Sequence, residues 1–374
     1  MNRPNLARIC SVVSIVACSL FIPLATPAGA PKPGKKNYRP TTLATDLVWP
    51  LPPEKPRFRF VREIRGASDV QALPKTTKLQ RIAGVRKVVF SPTFGKPFGV
   101  ANDSKHRIYV TDNGQAVVFV FDIENKVVSY IGLEGAPRLN TPMGITVDAK
   151  DRVWLADAGL RRVFAFDPAL NLRAALGKPG ELVNPVGVAT DLTRSRLYVA
   201  DSKQHCIVVY DTETGLLITK FGKRGTDPGD FAFPTDVVAG ADGRIYVADA
   251  MNRRIQVFDS NYKFLEAFGS EGIAWGQFRD PKSIALDRYQ NVYVLDSELS
   301  NFQIFDQKRR LLMFLGEFGN APGQFAVPER IHIDDRNYVY VVDQMNWRVQ
   351  VFELLSGEAE EPAPGAAANQ QVQQ

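Results

Sequence analysis

Five residues late in the chain, Asp236, Lys282, Glu329, Arg330 and His332, carry the side chains that recognition chemistry uses: carboxylates, cations and an imidazole. Each lies one, two or four positions after a proline, in a segment whose earlier copies hold Phe98, Met143 and Val186 at the first position and Gly99, Gly144 and Gly187 at the second. They describe a polar half-site beside an apolar half formed by Phe98, Met143 and Val186, a mixture that suits a small amphipathic ligand or a peptide end. The competing reading is that Asp236, Lys282, Glu329 and Arg330 pair across neighbouring repeats and only hold the fold. Either way, large polar groups at crowded positions need partners or water.

A second candidate surface follows the acids Asp201, Asp249, Asp296 and Asp343. It holds Lys203, Met251, Arg253, Glu298, Met345, Trp347 and Arg348. Exposed Met, Trp and Arg are typical of protein-binding patches, and Met251, Arg253, Met345 and Trp347 are the expected partner surface. Arg162, Arg254 and Arg348 each lie five residues after such an acid and are expected to pair within their own repeat. Cys206 precedes the apolar run Ile207 to Tyr210, which predicts an inert buried thiol.

The elements that must position these residues come from repetition. Pro97, Pro142, Pro185, Pro234, Pro281 and Pro328 recur at intervals of 45, 43, 49, 47 and 47 residues. Each is followed 15 residues later, or 16 in the third copy, by Asp112, Asp157, Asp201, Asp249, Asp296 or Asp343. Within a copy the residues alternate as strands do, and the fourth copy shows the runs Val237 to Ala239, Ile245 to Ala248, Ile255 to Phe258 and Phe264 to Phe268. Four short antiparallel strands at this period predict an all-β, six-bladed β-propeller. The last copy ends after Phe352 without a fourth strand. Residues 58–64, Phe-Arg-Phe-Val-Arg-Glu-Ile, match the outer strand of the fourth copy, so an N-terminal strand is expected to close the ring.

The ends of the chain read differently. Residues 1–30 carry Arg3 and Arg8 ahead of an apolar stretch and Ala28-Gly29-Ala30, the pattern of an export leader. Cleavage near Ala28 or Ala30 competes with a lipobox at Ile15-Val16-Ala17-Cys18, in which Cys18 would be lipidated. These readings place the protein in the periplasm or on the outer membrane as a lipoprotein, with secretion as the alternative. Residues 31–56, rich in Pro and Lys, read as a linker, 57–355 as the propeller, 69–90 as an insertion with a short helix over Lys75 to Ala83, and 356–374 as a disordered tail.

The net charge of +6 is concentrated, since residues 31 to 65 hold nine basic residues against three acidic ones. The propeller is therefore close to neutral, which argues against nucleic acid as a partner. Membrane contact is expected only through a lipid anchor at Cys18, and the propeller is expected to be monomeric.

The run Pro234 through Val247-Ala248-Asp249, then Asn252-Arg253-Arg254-Ile255-Gln256-Val257-Phe258-Asp259 and Phe268-Gly269, resembles an NHL repeat, and His205-Cys206-Ile207 keeps that family's histidine in another copy. The resemblance covers six copies over residues 97 to 353 and implies a six-bladed NHL propeller of the exported bacterial kind. Such proteins divide between binding surfaces and a minority of enzymes, so the fold leaves function open. One enzymatic relative, a peptide-amidating lyase, uses histidines around zinc. Here His106 falls in the turn after an innermost strand and His205 in the loop between second and third strands, on opposite faces, whereas zinc needs its ligands within about 2.1 Å. Lactonase-type propellers hold calcium in the channel, and Asp236 with Glu329 supplies too few hard oxygens. The reading with most support is an exported module that binds or scaffolds a protein, peptide or small envelope ligand, with no cofactor. A metal-dependent lyase or lactonase-type hydrolase using the channel is the alternative.

Overall fold

The computed structural model describes residues 47–355 apart from 52, 72–90, 134, 136 and 192. The expected leader with Cys18, most of the expected linker, the expected helix over Lys75 to Ala83 and the expected tail lie outside the described residues. Five four-stranded antiparallel sheets and one five-stranded sheet follow one another along the chain. Their inner strands are Pro97–Asn102, Pro142–Val147, Pro185–Asp191, Pro234–Ala239, Pro281–Leu286 and Pro328–Ile333. Each proline opens its strand, where the missing N–H interrupts no ladder.

The second strand of each blade is the most deeply buried, as in Ile245–Asp249, where all five residues are buried. Both of its faces pack against neighbouring blades, which explains why its run is continuously apolar rather than alternating. Outer strands alternate between half-buried and exposed, as in Phe264–Phe268. The core consequently sits between blades. Tyr293, Leu295 and Phe302 of the fifth blade pack with Val339, Val341 and Phe352 of the sixth, and Tyr340, Val342 and Val349 of the sixth pack with Val100, Val110 and Phe119 of the first.

The ring closes as its sequence demands. Phe58–Ile64 pairs antiparallel with Arg348–Leu354, from Phe58 opposite Leu354 to Ile64 opposite Val349. Arg348, 1% exposed, ties the closure by donating to Asp343 at 2.7 Å and to Glu63 of the closing strand at 2.9 Å. One element was not foreseen. Val48–Trp49, inside the expected linker, adds a fifth strand beside Phe58–Ile64, and the Trp49 ring meets Phe352 edge-on at 5.6 Å. Burial of that indole outweighs the proline-rich composition around it.

Candidate functional site

The repeated acids are structural, and they build the channel mouth. Asp112 accepts the backbone N–H groups of Gly95 at 2.6 Å and Lys96 at 3.0 Å, just ahead of Pro97. Asp157 does the same for Asn140 and Thr141, Asp201 for Val183 and Asn184, Asp296 for Arg279 and Asp280, and Asp249 and Asp343 for Ala232 and Ala326. All six acids are fully buried. Each compensates its own desolvation by satisfying backbone donors that would otherwise be orphaned, and so holds the segment entering an inner strand.

Two positions after the prolines the ring divides. In the first three blades the inner strands approach so closely that a Cβ on Gly99, Gly144 or Gly187 would lie 2.5 Å from Met143 O, 2.5 Å from Val186 O and 2.8 Å from Asp236 Cα respectively. Only glycine fits there. In the last three blades the same position holds Asp236, Ser283 and Arg330. The Ser283 hydroxyl donates to Asp236 Oδ2 at 2.7 Å, Ile284 N–H donates to the same oxygen at 3.0 Å, and Ile331 N–H donates to Ser283 Oγ at 3.2 Å.

Arg330 spans the channel. It ion-pairs with Asp236 of the fourth blade, its Nη2 donates to the Val186 carbonyl of the third at 3.1 Å, and its guanidinium lies 5.3 Å from the Phe98 ring centre of the first. Arg330 is 6% exposed and Asp236 4%. This pair helps to line a cavity of about 80 Å³, with His332 and Thr146 among apolar residues. Arg330 Nε is buried without a hydrogen-bond partner among the described residues. His332 lines the same cavity, and burial pulls its imidazole down to about 4, against a small opposing effect of Asp334.

Asp236, Arg330 and His332 are thus brought together, with Phe98 and Val186 attached through Arg330. The rest of the expected half-site stays at the mouth. Lys282 Nζ sits 3.0 Å from Asp280, and Met143 Sδ accepts from Asn113 Nδ2 at 3.6 Å. The expected pairing across neighbouring repeats therefore takes another form: Asp236 and Arg330 pair across an intervening blade, Lys282 pairs just ahead of its own strand, and Glu329 has no hydrogen bond or ion pair among the described residues.

On the outer part of the face, Met251, Met345 and Trp347 are 54%, 53% and 53% exposed. Arg253 is engaged rather than free, with Nη1 donating to Met251 O at 2.7 Å and its guanidinium 3.2 Å from Glu271. Arg253 and Trp347 occupy left-handed backbone at the ends of short 3₁₀ turns, which sets their side chains outward. Sequence reasoning missed Phe233 and Val327, both 40% exposed beside them. Met251 N–H donates to Ala232 O, and Met345 N–H to Ala326 O, both at 3.1 Å, so each methionine turn is tied to the segment carrying the extra apolar residue. The signal was available, because both residues directly precede a repeat proline.

The three arginines expected to pair within their own repeats do so by different partners: Arg254 pairs with Asp249 at 2.8 Å and Arg348 with Asp343, while Arg162 donates to the Gly177 carbonyl. Cys206 is 5% exposed and burial pushes its thiol up to about 11, so it is a poor nucleophile. On the opposite face His106 Nδ1 lies 3.8 Å from Asp335, close to Asp334. The Asp334 carboxylate already accepts from Arg336 N at 3.0 Å, Tyr338 N at 2.8 Å and Tyr340 OH at 3.0 Å, the turn arrangement that Asp103 repeats in the first blade, so little of it is left for a metal.

A family model described as a six-bladed beta-propeller (DUF5128) matches residues 188–270. Human E3 ubiquitin-protein ligase NHLRC1 is 33% identical over 91 residues, 24% of this chain and 23% of that protein, and human NHL repeat-containing protein 3 is 33% identical over 97 residues, 23% of this chain and 26% of that protein. The chain thus spans about a quarter of the length of these curated relatives. Among solved structures, a streptogramin B lyase superposes with a TM-score of 0.54 at 10% identity, covering 69% of this chain and 93% of the other, a likeness of fold alone. With six blades in a closed ring, the propeller match and the NHL relatives support an NHL-type β-propeller.

Proposed function

We propose that this chain is an exported binding or scaffolding propeller that docks a protein partner on its channel-mouth face. The observation that carries the reading is the exposure of Phe233, Met251, Val327, Met345 and Trp347 at one end of the fourth and sixth blades, flanking a fifth blade whose Arg279 and Glu298 pair at 2.9 Å. Apolar anchors beside polar, ion-paired ground are the composition of a protein-recognition surface. A binding role is also in keeping with a structural neighbour described as an auxiliary nutrient binding protein from Bacteroides thetaiotaomicron, which shares the fold at 15% identity and a TM-score of 0.55 over 71% of this chain and 70% of that one.

The hydrolase or lyase alternative needs a substrate in the channel. The Arg330 and Asp236 pair crosses the channel, and the cavity of about 80 Å³ that the two help to line is well below the roughly 300 Å³ at which organic-ligand pockets begin. The leader-like residues 1–30 put the partner in the cell envelope, which mass spectrometry of the mature N-terminus checks by distinguishing a lipidated Cys18 from a cut near Ala28.

Capture from cell envelopes with wild type and with a Met251→Ala, Met345→Ala, Trp347→Ala variant tests the docking surface. A specific partner retained by wild type and lost by the variant supports it. Equal capture by both overturns it.

A further inference from the structure

One position past the prolines, the residues around the channel mouth are, in blade order, Phe98, Met143, Val186, Thr235, Lys282 and Glu329. The charges here are nearly all matched: Lys282 is held 3.0 Å from Asp280, and Arg330 is paired with Asp236. Glu329 is the exception. It is half-buried and has no hydrogen bond or ion pair among the described residues, while Lys96 stands exposed beside the mouth. A carboxylate that gives up much of its water without a partner is costly to keep ionised. The next two blades around the ring from Glu329 offer the half-buried Phe98 and Met143 at the same position.

A carboxylate with no direct hydrogen-bond or ion-pair partner, set beside apolar side chains, complements a cation carried on a hydrocarbon stem. We propose that Glu329 binds the primary ammonium group of a lysine side chain from the docked partner, with the butyl stem lying along Phe98 and Met143. This rests on the reading of the same face as a docking surface and adds the chemistry that selects the partner. Burial raises the Glu329 carboxyl above the ordinary range; Lys282, Arg330 and Lys96 oppose that rise and Asp280 adds to it. An ammonium binds the ionised form, so binding tightens as pH rises through this raised titration range.

The test is carboxyl ¹³C NMR of the full chain titrated with n-butylammonium chloride, against equal sodium chloride and against n-butanol, with the Glu329 signal assigned from Glu329→Gln. The expected result is a saturable shift seen only with the amine. Saturation should lower the Glu329 midpoint by about one pH unit, equivalent to roughly tenfold tighter binding to the ionised form. Movement that sodium chloride reproduces overturns the proposal, as does an equal response of the Phe98 ring and Met143 methyl ¹³C signals, followed in the same titration, in Glu329→Gln. If that variant does not fold, the wild-type comparison of amine with salt decides alone. Failure here with partner capture still lost in the methionine and tryptophan variant would leave the docking surface standing and remove the lysine site. Amine binding without that loss would do the reverse.

Discussion

The first three blades and the last three solve the crowding at the propeller axis in different ways. In the first half, Gly99, Gly144 and Gly187 let backbones touch, and in the first blade Gly99 N–H donates to Thr111 Oγ1 at 2.7 Å, with that hydroxyl donating to Met143 O at 2.7 Å. In the second half, Asp236, Ser283 and Arg330 replace backbone contact with a side-chain network. The same division recurs further out. Gln256, Gln303 and Gln350 are buried in the third strands of the last three blades, where the first three have Phe119, Phe164 and Val208. Each glutamine clamps the loop entering its blade: Gly229, Gly276 and Gly323 N–H donate to its Oε1 at 2.8, 2.8 and 2.9 Å, and its Nε2 donates to Asp230, Gln277 and Gln324 O at 2.7, 2.8 and 2.7 Å. One half is a scaffold sealed by apolar packing. The other carries polar machinery, long pinned loops and most of the exposed apolar surface.

The sharpest way to break this contrast is Asp236→Ala, which strands a buried guanidinium and should cost about 3–5 kcal/mol in denaturant unfolding. A cost below about 1 kcal/mol would mean that Asp236 and Arg330 are not a buried pair. Replacing both partners, with Asp236→Leu and Arg330→Met, should recover most of the loss. Next is acid. His332 titrates near 4 when folded and near 6.5 when unfolded, so the unfolded chain binds the extra proton. Its contribution to stability is complete above pH 6.5 and is lost as pH falls toward 4, an effect of about 3 kcal/mol. His332→Val, which restores the residue type that Val238 supplies in the fourth blade, should remove that part of the acid sensitivity, measured as unfolding free energy at pH 7 and pH 4.

On the glycine side, Gly144→Ala drives a Cβ against the Val186 carbonyl and should cost about 1–3 kcal/mol. A neutral result would show that the first half is looser than its contacts imply. Gln303→Leu should cost about 1–2 kcal/mol and speed amide exchange at Gly276, because the hydrogen bonds pinning that loop are lost. The smallest effect belongs to the docking face. Met251→Ala and Trp347→Ala should change stability by less than about 0.5 kcal/mol, since both side chains are more than half exposed.

Much of this was legible in the chain. Six copies, their strand spacing and the closing role of residues 58–64 follow from local periodicity, and the exchange of glycine for Asp236 and Arg330 marks the polar half directly. The pairing scheme was not legible. Asp236 and Arg330 read as charges for neighbours, yet Arg330 reaches past the fifth blade, because a long side chain at a narrow axis meets opposite blades as readily as adjacent ones. Arg162 shares the spacing of Arg254 and Arg348 but finds a carbonyl, and Val48–Trp49 pairs only because a large indole has apolar ground to cover.

By itself, then, the sequence determined what is periodic: the number of blades, the placement of turns, the acids that hold each strand entrance and the half of the ring that carries charge. Tertiary structure alone decided which side chains share the axis. Arg330 and Val186, 144 residues apart, meet only when the ring closes, and that contact depends on how all six inner strands converge rather than on any local pattern.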